Sequence, residues 1–130
     1  MSWWLPYLGR PYAPDFDCLD LLELVQREVF GRELTLPIHS KSVSARARQF
    51  TAEWDDFFRP TATPTDGAAA LLIARNIHQH VGVAVILNKI PHILHCARNT
   101  GTMLQSIAVL NSRYGYQLRG WYEYVQPHPA

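Results

Sequence analysis

Past Gly67 the chain divides into short β-prone runs, Leu71 to Ala74, Val81 to Leu87, Ile93 to Cys96, Thr102 to Ile107 and Leu118 to Val125. Turn-forming pieces separate them at Asn76, Asn88-Lys89, Asn99-Thr100-Gly101 and Tyr114-Gly115. Strands at hairpin spacing predict an antiparallel sheet. Thr102 to Asn111 also fits a short helix.

The first half reads differently. Cys18, Leu22, Val25 and Val29 recur at spacings of four, three and four, which places them on one face of a helix. Gly31 closes that helix, and Asp17 stands before it, where a carboxylate caps the first amides and suits the positive end of the dipole. A second helix fits Ser42 to Phe58, with Val43, Ala47, Phe50, Trp54 and Phe57 on its apolar stripe and Pro60 ending it. Pro60 to Gly67 then reads as a loop rich in Thr and Pro. Helices followed by hairpins define an α+β domain, and 130 residues suit one domain, 1–130.

Composition narrows the function classes. With 48% hydrophobic and 18% charged residues the chain is no disordered tail, and a net charge of +1 gives nucleic-acid steering no support. The longest apolar runs, Ala68 to Ala74 and Val81 to Leu87, are far shorter than the ~20 residues of a membrane span. The start has no basic segment followed by an apolar stretch, so no secretory leader is expected. Cys18 and Cys96 are too few for a disulfide framework and are expected as free thiols, with Cys96 turned into packing. The aromatic start, Trp3, Trp4, Pro6 and Tyr7, is expected to cover the core.

Cys18 sits at a helix N-terminus, where unpaired amides and the dipole favour a thiolate. A lone cysteine there is more often a small core hydrophobe, and position alone does not overturn that. His80 opens His80-Val81-Gly82-Val83-Ala84-Val85, an alternating segment whose small Gly82 suggests close approach by another element. His92-Ile93-Leu94-His95 lies one hairpin away, and one of its histidines can reach the His80 ring, cross-strand neighbours being about 5 Å apart. Alternation sends His92 and His95 to opposite faces, so only one joins His80. A thiol, an imidazole base and an orienting imidazole are the parts of a thiol acyl-transfer site.

With these residues in view, the sequence resembles the NlpC family of papain-like cell-wall cysteine peptidases. Gly9-Arg10-Pro11-Tyr12, Asp15-Phe16-Asp17-Cys18-Leu19-Asp20-Leu21, Phe30-Gly31 and Leu36-Pro37 are similar to its nucleophile-helix region. His80-Val81-Gly82-Val83, Ile93-Leu94-His95 and Gly120-Trp121-Tyr122 are similar to its histidine strands and final strand. The likeness runs from Tyr7 to Tyr124 and leaves Ser40 to Thr65 largely unmatched. Leu19-Asp20 stands where that family commonly has serine-glycine, and the preceding loop is shortened to Ala13-Pro14-Asp15.

The resemblance implies a papain-like fold with N-terminal helices packed on an antiparallel sheet. It implies Cys18 as nucleophile, His80 as base, His95 as third polar residue and Tyr12 as the tyrosine shaping the substrate and oxyanion site. His95 is preferred to His92 because Ile93-Leu94-His95 matches the apolar approach to the family's histidine. The implied substrate is a peptidoglycan stem peptide, with no cofactor. The ending Gly120-Trp121-Tyr122-Glu123-Tyr124 also resembles the short phage-tail members, which implies a virion tail-tip location with other tail-tip proteins as partners. Two alternatives stay open. One is a structural tail subunit that keeps the fold without catalysis; the other is a metal-binding protein using His78, His80, His92, His95, Cys18 and Cys96. Against the metal, His78 is expected in a turn and alternation splits the second pair of histidines.

Overall fold

The computed structural model describes residues 2–34, 57–74 and 78–125. After a short 3-10 turn at Leu5–Tyr7 come helix α1 (Cys18–Glu28) and strands β1 (Phe58–Thr61), β2 (Ala69–Ala74), β3 (His78–Leu87), β4 (Ile90–Ala97) and β5 (Gly101–Ser106). Helix α2 (Ile107–Tyr114) and strand β6 (Tyr116–Tyr124) complete the order. All strand pairs are antiparallel, and the sheet order is β1-β6-β2-β3-β4-β5. The fold is thus α+β, an antiparallel six-stranded sheet with two helices among the described residues.

Each element has a local cause. Asp17 caps α1 by accepting from the Leu19 and Asp20 amides at 3.0 and 3.2 Å, and Asp20 accepts from the Asp17 amide at 2.9 Å, a complete capping box. The buried face of α1 is broader than the expected stripe: Leu19, Leu21 and Gln26 join Cys18, Leu22 and Val25, while Val29 caps the helix and is only half-buried. Gln26 is buried because its amide donates to the Gly67 carbonyl at 2.8 Å and accepts from Arg32 at 3.0 Å. Asn88 and Lys89, both at positive φ, make the two-residue β3–β4 hairpin whose twist suits the strands. Ser106 caps α2 through the Val109 amide, and Gly115 ends it in the left-handed conformation.

The helices occupy opposite faces of the sheet, each with its own core. On one face α1 packs over Ala69, Val81, Val83, Val85, Leu94 and Cys96, with Tyr7 and the half-buried Trp3 and Trp4 closing the edge. On the other, Leu110 of α2 meets Ala70, Leu72 and Ile93, flanked by Tyr116, Leu118 and Trp121. Covering the core is the expected role of the aromatic start, and Tyr7 and the two tryptophans do so.

The second expected helix lies largely outside the described residues, as do Asn76, Arg46 and Arg48. Its end is corrected: Phe58 and Pro60 belong to β1, an edge strand beside β6 in which a missing amide is tolerated. Thr102 to Ile107 and the helical alternative each capture part of the outcome, because β5 ends at Ser106 and the same residue caps α2. His78 is also corrected; it begins β3 opposite Ala74 instead of lying in the turn. No helix among the described residues is long and apolar enough to cross a membrane.

Candidate active site

Pairing register decides which side chains gather. Leu72 is opposite His80 and Ile93 is opposite Gln105, and directly paired residues share a face. Leu72 and Ile93 belong to the α2-side core, so His80, His95 and Gln105 stand on that face. Tyr116 joins them through an irregularity in β6. The register shifts between Leu71, opposite Gly120, and Leu72, opposite Leu118, leaving Arg119 as an extra residue. A one-residue slip exchanges faces, so the bulge turns Leu118 and Tyr116 toward His80.

The result is a buried chain of polar groups. His80 Nε2 lies 3.0 Å from His95 Nδ1, and His95 Nε2 lies 2.9 Å from Gln105 Oε1. The His80 ring stacks on Tyr116 at 4.6 Å between centroids and 18° between planes, and His95 meets His80 edge-on at 5.2 Å. Gly82 makes the approach possible, since a Cβ there would stand 2.5 Å from Ile93 Cγ2 and 2.9 Å from the Leu94 carbonyl. The element expected to come close to Gly82 is therefore β4.

The orientation of Gln105 favours one arrangement of the protons. With its Oε1 turned to His95 Nε2, an accepting oxygen takes a hydrogen from that nitrogen. Neutral His95 then has a bare Nδ1, which accepts from His80 Nε2–H, and neutral His80 keeps its own lone pair on Nδ1. Both rings are neutral because burial disfavours the charged form. Desolvation, with the neighbouring His95, lowers the His80 pKa from 6.5 to about 3, and desolvation also lowers that of His95 against the raising effect of Gln105.

His92 is outside this chain. It pairs with Val85 and Ser106 toward the opposite face, and its Nδ1 stands 2.9 Å from the Ile90 carbonyl, bonded within its own turn. Alternation separates the two histidines of β4 as their odd spacing requires.

Cys18 opens α1 at 1% exposure and packs in the α1-side core. It lies toward the His80 end of the sheet: the preceding Phe16 carbonyl is 3.9 Å from Cys96 Sγ near the end of β4, and the Tyr116 pKa is raised first by burial and then by the charge of an ionised Cys18. The β3–β4 pairing runs from Val83 to Leu87, so His80 stands beyond it. Cys18 thus packs with the core on the α1 side, whereas the His80 side chain stands on the α2 side of the sheet. Tyr12 is half-buried beside the same core, with the Arg98 guanidinium 5.8 Å from its ring centre. It precedes the tight turn Ala13–Phe16, whose ends exchange backbone hydrogen bonds at 3.0 and 2.9 Å.

Cys96 is buried, and burial raises its pKa, which suits a thiol kept in packing. Neither cysteine is in a disulfide. Among the described residues no three His, Cys, Asp or Glu side chains gather as a metal site. Sequence reasoning missed Gln105 and Tyr116. Gln105 carried a signal, its place four residues past Asn99-Thr100-Gly101 on a strand paired with the His95 strand, whereas Tyr116 reaches His80 through a bulge for which Gly120 is the only local hint. No family model matches the chain, and no characterised protein matches its sequence.

Proposed function

We propose that the chain is a cysteine peptidase of the papain-like NlpC type, cutting peptidoglycan stem peptides from a phage tail tip. The observation that carries this reading is the oriented relay from Gln105 through His95 to His80, which leaves an unprotonated Nδ1 on a neutral imidazole. A base held by its other nitrogen is what a thiol nucleophile requires. The resemblance of Tyr12, Asp17-Cys18, His80-Val81-Gly82 and Leu94-His95 to that family supports the substrate class, and the ending Gly120-Trp121-Tyr122 supports the tail.

In this mechanism His80 Nδ1 takes the proton of Cys18 Sγ as the sulfur bonds to the carbonyl carbon. The carbonyl oxygen becomes the oxyanion, facing the Cys18 amide and the Tyr12 hydroxyl. Collapse breaks the C–N bond, the amine leaves with the proton held by His80, and an acyl thioester remains. Water, deprotonated by His80, then attacks the thioester; the carboxylic acid leaves and Sγ regains its proton. His95 keeps Nδ1 toward His80 Nε2–H throughout, and the imidazolium formed at each step is stabilised by that bond.

A second reading, a structural tail subunit that keeps this fold without catalysis, is favoured by burial. Cys18 and His80 are 1% and 5% exposed, and the residue before Cys18, Asp17, keeps a buried carboxylate at the same helix start. Purified sacculi separate the two. Catalysis predicts peptide fragments released by the wild-type chain and none by Cys18→Ala of unchanged circular dichroism; equal release, or none from either, rejects the peptidase. Copurification with tail particles tests the location.

A further inference from the structure

We infer that Gln105 is a positioning residue that sets the direction of the whole imidazole relay. The inference deepens the peptidase reading and rests on it only where it speaks of rate. Two neutral imidazoles joined Nε2 to Nδ1 have two proton arrangements of nearly equal local energy. In one, His80 donates and keeps a basic Nδ1; in the other, His95 donates from Nδ1, and His80 holds its proton on Nδ1, where it is no base. Nothing within the pair chooses between them.

Gln105 chooses. In the orientation observed its Oε1, 2.9 Å from His95 Nε2, is the atom presented, and it accepts the hydrogen on Nε2 of His95 and thereby leaves a bare Nδ1. That preference passes at 3.0 Å to His80. Reversal would require the Gln105 amide to turn over and offer its NH2 to the lone pair on His95 Nε2, while both rings exchange their protons beside a fully buried His95. The register is suited to the task, because Gln105 pairs with Ile93 and so lies diagonally from His95 on the same face. Tyr116 stacks on the His80 ring and fixes its plane, but offers no proton preference through that stack.

The test is a set of substitutions read by long-range 1H–15N correlation of the histidine rings in the full chain at pH 7. Wild type is expected to show the Nε2–H form for both His80 and His95. Gln105→Leu, close in volume and without an acceptor, is expected to populate the Nδ1–H form of His80. Gln105→Glu, which keeps an acceptor, is expected to restore the wild-type pattern and to move the acid limb of any activity profile to higher pH by stabilising an imidazolium. Unchanged ring tautomers in Gln105→Leu, or a wild type already in the reversed arrangement, overturn the inference. If peptide release is present, Gln105→Leu lowers its kcat/KM about 10- to 100-fold, as loss of an outer histidine partner does elsewhere, and Gln105→Glu recovers it. A chain that never releases peptide but shows the tautomer switch would sink the peptidase reading and leave this one standing.

Discussion

Replacing His80 by Gln should flatten the loss of stability that the fold suffers as the solution is acidified from pH 7 to pH 5. His80 is 5% exposed, and its pKa is lowered to about 3, first by desolvation and then by His95. In the unfolded chain an imidazole titrates near 6.5. Between these values the unfolded state binds a proton that the folded state refuses, so stability falls with falling pH through 6.5 and levels off near 3. One such group contributes about 2 kcal/mol of loss between pH 7 and pH 5, at 1.36 kcal/mol per unit of pKa difference. His95, also depressed, adds to the slope in the same direction. Urea unfolding at half-unit steps of pH measures the His80 share as a midpoint that drops by about 1 M in wild type, for an m-value near 2 kcal/mol/M. In His80→Gln, whose amide can still donate to His95 Nδ1, the His80 share of the drop, about 1 M, should vanish and only the His95 share remain, and His80→Phe, which keeps the stack on Tyr116, should behave alike. Midpoint curves of wild type and both variants that run parallel from pH 7 to pH 5 would refute the claim that His80 is buried in its neutral form.

Two further outcomes follow from contacts around the site. Gly82→Ala should lower stability by about 1–3 kcal/mol, because the added methyl meets the Leu94 carbonyl and Ile93 Cγ2 and forces β3 from β4; a wild-type urea midpoint would contradict the close approach. Asp17→Ser keeps a helix cap but removes its charge, so alkylation of Cys18 at pH 7 should run about two- to tenfold faster with stability changed by no more than ~0.5 kcal/mol; an unaltered rate would mean the carboxylate does not oppose the thiolate.

The parts legible in the sequence were those governed by short-range periodicity. The cap and first residue of α1 came from Asp17 and the apolar spacing after it, and the hairpin came from the turn-like Asn88-Lys89 between two β-prone runs. Alternation alone showed that His92 and His95 would part. What stayed hidden depends on register between distant segments. Whether Tyr116 meets His80 is decided at Arg119, where one extra residue in β6 exchanges faces; Gly120 beside it is the one local hint of a bulge, but it does not say which residue is extra. Pro60 misled because a proline ends a helix or sits on a sheet edge with equal ease, and only the pairing of β1 with β6 distinguishes the two. The two-faced core was equally out of reach, since Leu110 and Ile93 are ordinary apolar residues until α2 is seen to lie opposite α1.

On the peptidase reading, the capping box also changes how the thiol would be activated. A cysteine at the start of a helix draws its reactivity from first-turn amides, but the Leu19 and Asp20 amides already bond Asp17, whose buried carboxylate opposes a second negative charge beside it. The dipole and its cap therefore work against one another at Cys18. What remains to remove the thiol proton is an imidazole, and burial makes the His80 imidazole a poor holder of charge until something polar arrives beside it. Both halves of the ion pair are thus disfavoured in the closed, unliganded site. If the chain is a peptidase, the substrate amide itself supplies the polar surroundings in which proton transfer becomes favourable, so the thiol should be sluggish toward small alkylating agents and yet competent toward a bound peptide.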